Sequence, residues 1–172
     1  DQVDLLLTPS AFARELYVRQ GCDPQRIQVF DLGLDPKRLA ILEEQATEPA
    51  WPNSATPQAR LRLGYLGAIA WQKGLHVLIE AVNRLPDDVT LTIYGDDTVF
   101  PEYAATLRAA ARHPGIRFAG PLPYDAVGAA LRQLDYLVTP SLWYETFAMV
   151  VQEAEAVGTP VVASRIGALT RI

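Results

Sequence analysis

Apolar residues recur along this chain at two spacings, and the spacings divide it into elements. Leu61–Leu66, Val89–Tyr94, Ile116–Ala119, Tyr136–Thr139 and Val161–Ala163 are short apolar runs, each closed by Gly, Pro or Ser, and read as strands. Between them the apolar residues return every three or four positions, the helical period. Gly74–Leu85 places Leu75, Leu78, Ile79 and Val82 on one face. Tyr103–Arg112, Tyr124–Gln133 and Phe147–Val157 read as further helices, the last with Gly158 as its stop. Strand and helix alternate four times with short connections. That pattern predicts an α/β fold: a Rossmann-like parallel sheet with helices on both faces, joined by right-handed crossovers.

The first third is less regular. Leu5–Thr8 reads as a buried strand, and Ser10 caps a helix through about Gln20 with Phe12 and Leu16 one turn apart. Ile27–Phe30 is another strand, followed by a turn over Asp31–Asp35. Glu43–Arg60 is rich in Pro, Ala, Thr and Glu without sustained period, and reads as a linker or surface loop. The chain begins at Asp1, carries a single methionine, Met149, and stops abruptly after Arg171-Ile172. A fragment of a longer protein is the expectation.

In parallel sheets of this kind, ligands bind outside the carboxyl ends of the strands. The loops there are 67–73, 95–98, 120–124, 140–146 and 164–168. Glu145 precedes the helix predicted over Phe147–Val157, and Glu153 lies about two turns into it. Their backbones are expected roughly 10–12 Å apart along the axis, about the reach of an extended small ligand such as a nucleotide sugar. The unpaired N–H groups of the first helical turn lie between them and favour an anion. Glu145 can accept from sugar hydroxyls and Glu153 from the two hydroxyls of a ribose. The plainer alternative is a loop acid and a solvated helix acid. Against it, Met149, Val150, Val151, Ala154 and Val157 make the helix largely apolar, so an acid at 153 needs a partner. Glu155 is the better solvated position.

Lys73-Gly74 closes another strand–loop–helix unit. A lysine there is either an ordinary surface residue or a compact cation for a phosphate. The loop lacks the spacing of a P-loop. Asp96-Asp97 fits a turn better than a metal site. His76 and His113 have no Cys or Asp at ligand spacing, so no metal is expected. Trp143 and Tyr144 either stack on a sugar or base or pack onto the sheet. No Gly-x-Ser-x-Gly elbow or Cys/His pair for nucleophilic catalysis is present.

Composition narrows the function classes. The chain has 172 residues, 49% of them hydrophobic, enough for one good-sized core and against disorder. A formal net charge of −5 argues against a general nucleic-acid binder. No run approaches the roughly 18 apolar residues of a membrane span, and no signal peptide is recognisable. Cys22 has no internal partner, so a reducing, cytoplasmic setting is the default.

Several segments together resemble the retaining glycosyltransferases of family 4, which have the GT-B fold. They are Gly64–Ala81 with its Trp71-Gln-Lys-Gly-Leu75, Leu91–Asp96, Ile116–Gly120, Pro140–Ala154 with its E-x7-E element, and Gly158–Ala163. The resemblance implies that 61–172 is mostly the C-terminal, nucleotide-sugar-binding domain of a two-domain enzyme. It implies that 1–35 is the end of the N-terminal domain and the hinge, with 36–60 as linker. It assigns the donor diphosphate to Lys73, the transferred sugar to Glu145 and the ribose to Glu153. Backbone amides of Phe147, Ala148 and Met149 would meet phosphate or sugar oxygens. Gly67 belongs to the same donor site, and Phe118 and Gly120 lie where the base usually sits.

The implied function is transfer of a hexose, with retention, from a UDP- or GDP-type donor to an acceptor that is a glycan, lipid or small molecule. No cofactor or metal is required, and the fragment alone should be inactive. Peripheral membrane association through the N-terminal domain is a further expectation. Another GT-B activity, an epimerase or phosphorylase, and a non-catalytic nucleotide-binding module are the alternatives. Three departures stand out. The arginine that the family commonly places five residues before the lysine is Ala68, with Arg165 as a conceivable substitute. The usual glycine after Glu-x-Phe is Ala148. The expected Gly-Gly and glutamate near the end are Gly167-Ala168 and Arg171.

Overall fold

A computed structural model of the chain describes residues 3–30, 32–45 and 61–171. The strands of the main body are β3 (Leu61–Leu66), β4 (Val89–Tyr94), β5 (Ile116–Gly120), β6 (Tyr136–Thr139) and β7 (Val161–Ala163). They form one sheet in the order β5-β4-β3-β6-β7, every pairing parallel. The chain therefore builds outward from β3 in one direction, then crosses back to lay β6 on its other side. The order reverses between β3 and β6, and their carboxyl ends flank the crevice where such sheets take ligands.

Two cores lie on opposite faces of this sheet. On one, α3 (Leu75–Val82) and α4 (Pro101–Ala110) cover Tyr65, Leu91, Ile93 and Val138. On the other, α5 (Val127–Arg132) and α6 (Met149–Ala156) cover Leu137, with Leu66 at the margin. Strand alternation explains the split, since neighbours such as Leu137 and Val138 must point to opposite faces. The predicted stripe on α3 is the one buried: Leu75, Leu78, Ile79 and Val82. The doubly covered parallel sheet is thus as the sequence predicts.

A smaller unit precedes it. β1 (Leu6–Thr8) and β2 (Ile27–Val29) pair in parallel around α1 (Ala11–Arg19). Ser10 caps α1 as expected, its hydroxyl accepting from Ala13 N at 3.2 Å. α1 packs on the 3-10 turn Gly167–Arg171. Phe12 meets Tyr144 with ring centroids 5.0 Å apart. Tyr144 thus touches the smaller unit rather than the sheet, and both it and Trp143 beside it are exposed.

One expectation is corrected here. The stretch placed in a linker from residue 36 opens with a helix, α2 (Pro36–Gln45). Asp35 starts it: its carboxylate accepts from Lys37 N at 2.7 Å, and its carbonyl from Leu39 N at 2.8 Å. Pro36 stands at the first helical position, where its missing N–H costs nothing. Leu42 is fully buried between α5 and α6. A short helix with few buried residues leaves a weak periodic signal, and tertiary packing supplies what the sequence pattern lacks. The remainder of the expected linker, 46–60, lies outside the described residues.

Candidate functional site

Two loops meet at the reversal point. After β3 the chain turns through 67–70 into a 3-10 turn, Trp71–Lys73, and Gly74 then launches α3. After β6 it runs through 140–148 to α6. The carbonyl of Gln72 accepts from Leu142 N at 2.8 Å and from Trp143 N at 3.3 Å, which knits the loops together. Gly74 is required at the junction. Its φ is +71°, and a Cβ there would stand 1.9 Å from the carbonyl oxygen of Pro140. The glycine in Lys-Gly thus lets two backbones touch, and that approach delivers Lys73.

Lys73 Nζ donates to Glu145 Oε1 at 2.7 Å. The hydroxyl of Ser141 donates to the same oxygen at 2.5 Å. A third loop holds the backbone of Glu145: Ala168 N donates to its carbonyl at 2.8 Å. Gly167, with φ of +61°, lies against it so closely that a Cβ would meet Glu145 N and O at 2.8 Å. The Gly167-Ala168 pair thus supports the site from below the loop. Glu145 is fixed by its own loop through Ser141 and by two other loops, through Lys73 and Ala168.

These groups open on a cavity of about 260 Å³, lined by Lys73, Glu145 and Ser141 with Gly67, Ala68, Ala148 and Met149. Tyr65 and Thr139 line it from the sheet. The Tyr65 hydroxyl donates to the carbonyl of Ala68 at 2.6 Å. Burial, with smaller contributions from Tyr103 and Glu145, pushes its pKa well above the ordinary tyrosine value, so it stays a neutral donor. Ala68, where an arginine was expected, contributes its backbone to this wall and no charge. Arg165 is exposed and does not line the cavity.

Ala148 is the non-glycine residue with positive φ among the described residues, at φ 61° and ψ 69°. It is the N-cap of α6, without a side-chain cap. The left-handed conformation costs an L-residue roughly 1–2 kcal/mol. It also moves the start of α6 to Met149, two residues after the predicted Phe147. Strain of this kind persists where the surroundings over-determine it, commonly at a binding site.

Glu153 has a different setting and does not line the cavity. Its partner is Arg38 of α2, a residue absent from the expected site. Arg38 Nε and Nη2 both donate to Glu153 Oε1, at 2.8 and 2.6 Å. A third guanidinium N–H donates to the carbonyl of Tyr124, and the guanidinium lies 3.9 Å from the centroid of the Tyr124 ring. The expectation that an acid at 153 needs a partner is met, by a residue 115 positions away. The signal that could have found it is slight: an arginine three residues after a capping aspartate, on a helix too weakly patterned to recognise. Both Arg38 bonds fall on Oε1, so neither uses Oε2.

The remaining predicted residues sit around this frame. Phe147 is half-buried outside the cavity lining. The ring of Phe118 packs against the α3–α4 core under the Arg108 guanidinium, 4.4 Å from its centroid. Gly120 lies at the carboxyl edge, its carbonyl accepting from Gly95 N at 3.0 Å. Asp96 makes the expected turn, accepting from the hydroxyl and N–H of Thr98 at 2.6 and 2.8 Å. The hydroxyl bond first, then the N–H bond, holds its pKa below the usual value. His76 pairs with the Tyr103 hydroxyl and His113 with the carbonyl of Pro86. Among the described residues no group of three or more His, Cys, Asp or Glu could hold a metal, and no helix is long and apolar enough to cross a membrane.

Comparison with known proteins adds to this geometry. The family model for glycosyl transferases group 1 matches residues 60–172. The chain is 32% identical over 165 residues to the D-inositol 3-phosphate glycosyltransferase of Corynebacterium glutamicum, which covers 91% of this chain and 39% of that protein. It is 33% identical over 150 residues to the glycogen synthase of Mycobacterium tuberculosis strain H37Rv, covering 83% and 35%. The chain thus spans about two-fifths of the length of the curated relatives it matches. Its fold is that of Anabaena Alr3699/HepE in its crystal structure with UDP-glucose, at TM-score 0.77 and 21% identity, covering 98% of this chain and 46% of that one. A sucrose-phosphate synthase from Thermosynechococcus elongatus is also similar, at TM-score 0.75 and 23% identity, covering 98% and 42%.

Proposed function

The chain belongs to the glycosyl transferases group 1, and we propose that it carries the donor half of an enzyme that transfers a hexose, with retention, from a nucleoside diphosphate sugar. The observation that carries this reading is the Lys73–Glu145 pair, 2.7 Å apart in the cavity at the sheet's reversal point. The ammonium has two further N–H donors for a diphosphate, and the backbone amides at the start of α6 add neutral donors. Together they stabilise the charge that gathers on the leaving diphosphate as the anomeric carbon–oxygen bond breaks. The electron pair of that bond goes to the diphosphate oxygen, and the acceptor hydroxyl bonds to the vacated carbon on the same face as its proton passes to that departing oxygen. On this reading Glu145, which lines the cavity, holds the transferred sugar. No metal or other cofactor is needed for this charge distribution.

For the nucleoside, Glu153 Oε2 is the ribose acceptor, with Arg38 holding the carboxylate in place. The relatives' names support a sugar donor, and the UDP-glucose complex of the Anabaena protein favours uridine. The acceptor, a glycan, lipid or small molecule, is met by residues outside 61–171. Residues 1–35 belong on this reading to the acceptor domain and hinge.

The test is calorimetric titration of the protein with UDP-, GDP- and ADP-glucose, followed by NMR of the product that the full-length enzyme, acceptor domain included, forms from the donor that binds. Binding of one donor and a product with the donor's anomeric configuration are expected. An inverted anomer overturns retention. Absence of binding to all three at millimolar concentration overturns the donor reading. Glu153→Gln should weaken uridine as much as UDP-glucose if its oxygen serves the ribose; unchanged uridine binding removes that assignment.

A further inference from the structure

Thr139 ends β6, in register with Ala163 of β7, directly before the loop that carries Glu145. It is only 7% exposed. Its Oγ1 is buried with no hydrogen-bond partner among the described residues. Thr139 is also one of the residues that line the cavity holding Lys73 and Glu145. The other polar side chains there are already engaged. Tyr65 donates to the carbonyl of Ala68, and both Ser141 and Lys73 donate to Glu145.

A buried hydroxyl with no partner is disfavoured, and native proteins rarely keep one without cause. Valine has nearly the same shape, favours strands as strongly and carries no polar atom. A threonine at this position is therefore poised for a partner from outside the protein, a water or a bound ligand. We propose that Thr139 Oγ1 hydrogen-bonds an oxygen of the sugar-diphosphate portion of the donor, so that Thr139 is a donor-binding residue on the cavity floor. This rests on the donor reading above. A hydroxyl both donates and accepts, which matches a sugar hydroxyl; a phosphate oxygen only accepts and is better served by Lys73. The sugar is thus the favoured contact.

Calorimetric titration of the wild type, Thr139→Val and Thr139→Ser with UDP-glucose and with UDP tests this. The expected result is a five- to twentyfold weaker UDP-glucose affinity in Thr139→Val, with Thr139→Ser within twofold of wild type. Without ligand, Thr139→Val should melt at or above the wild-type temperature, because the orphan hydroxyl is gone. A loss confined to UDP-glucose assigns the contact to the sugar, and an equal loss for UDP assigns it to the diphosphate. Wild-type affinity in Thr139→Val overturns the proposal while leaving the donor reading intact. So does an equal loss in Thr139→Val and Thr139→Ser. If the wild type binds neither, the same variants are titrated with whichever of GDP- and ADP-glucose it binds, and binding to none of the three donors overturns both. Should Thr139→Val not fold, Thr139→Ala against Thr139→Ser gives the same reading.

Discussion

Glu145 and Glu153 stand on one segment, each met by a cation, yet the two pairs are built in opposite ways. Lys73 and Glu145 have side chains 33% and 16% exposed, and their contact faces a cavity. Arg38 and Glu153 are 4% and 15% exposed, and the guanidinium is sealed under Tyr124. Lysine is a compact charge on a flexible stem and can turn to a new anion. Arginine's planar fork fixes a carboxylate in place. On the proposed donor reading the first pair is an adjustable contact for a ligand, and the second a fixed joint that also shapes what Glu153 can offer. Equal spacing and equal charge do not imply equal work; burial and the choice of cation separate them.

The largest expected effect tests the fixed joint. Arg38→Ala leaves Glu153 without its counter-charge and should cost about 3–5 kcal/mol of stability in chemical denaturation. Replacing both partners with apolar residues of similar volume should recover most of that loss. If Arg38→Ala unfolds at the wild-type denaturant concentration, the joint is not structural and the contrast collapses.

Gly74→Ala comes next. The left-handed φ and the clash with Pro140 together should cost about 2–4 kcal/mol, and should lower donor affinity by displacing Lys73. Retention of both properties would show that the two loops can part freely.

Lys73→Ala addresses the adjustable pair. Stability should change by less than about 1 kcal/mol, because the pair is partly solvated. Nucleoside diphosphate affinity should fall about ten- to a hundredfold, and nucleoside affinity hardly at all. Equal losses for both ligands would indicate a folding defect instead.

The smallest effect concerns Ala148. Glycine there should stabilise the protein by about 0.5–1 kcal/mol, read as a small rise in melting temperature, because it relieves the left-handed strain. A loss of stability would mean that the methyl group contributes packing that outweighs the strain.

Much of this was legible in the chain itself. The five strands of the main sheet emerge from short apolar runs, because a parallel sheet covered on both faces leaves strands little freedom to be polar. The α3 stripe and the Asp96 turn are local signals that the fold did not override. The Lys73–Glu145 meeting was anticipated only as a shared cleft, since its geometry depends on backbone contact at Gly74 and Gly167. Arg38 escaped notice because its partner lies in a distant element and its own helix buries chiefly Leu42. The αL conformation of Ala148 is invisible to any pattern of apolar and polar residues, since it is imposed by the loop that precedes α6.

The Arg38–Glu153 joint also bears on how the molecule is assembled. It closes a stretch of 115 residues, so its loop-closure entropy falls due only when α6 is already in place. Contacts that join distant segments and form late contribute little to the folding transition state. Loss of Arg38 should then leave the refolding rate nearly unchanged and accelerate unfolding. The arginine would act as a clasp on the finished protein, governing how long it survives more than how fast it forms.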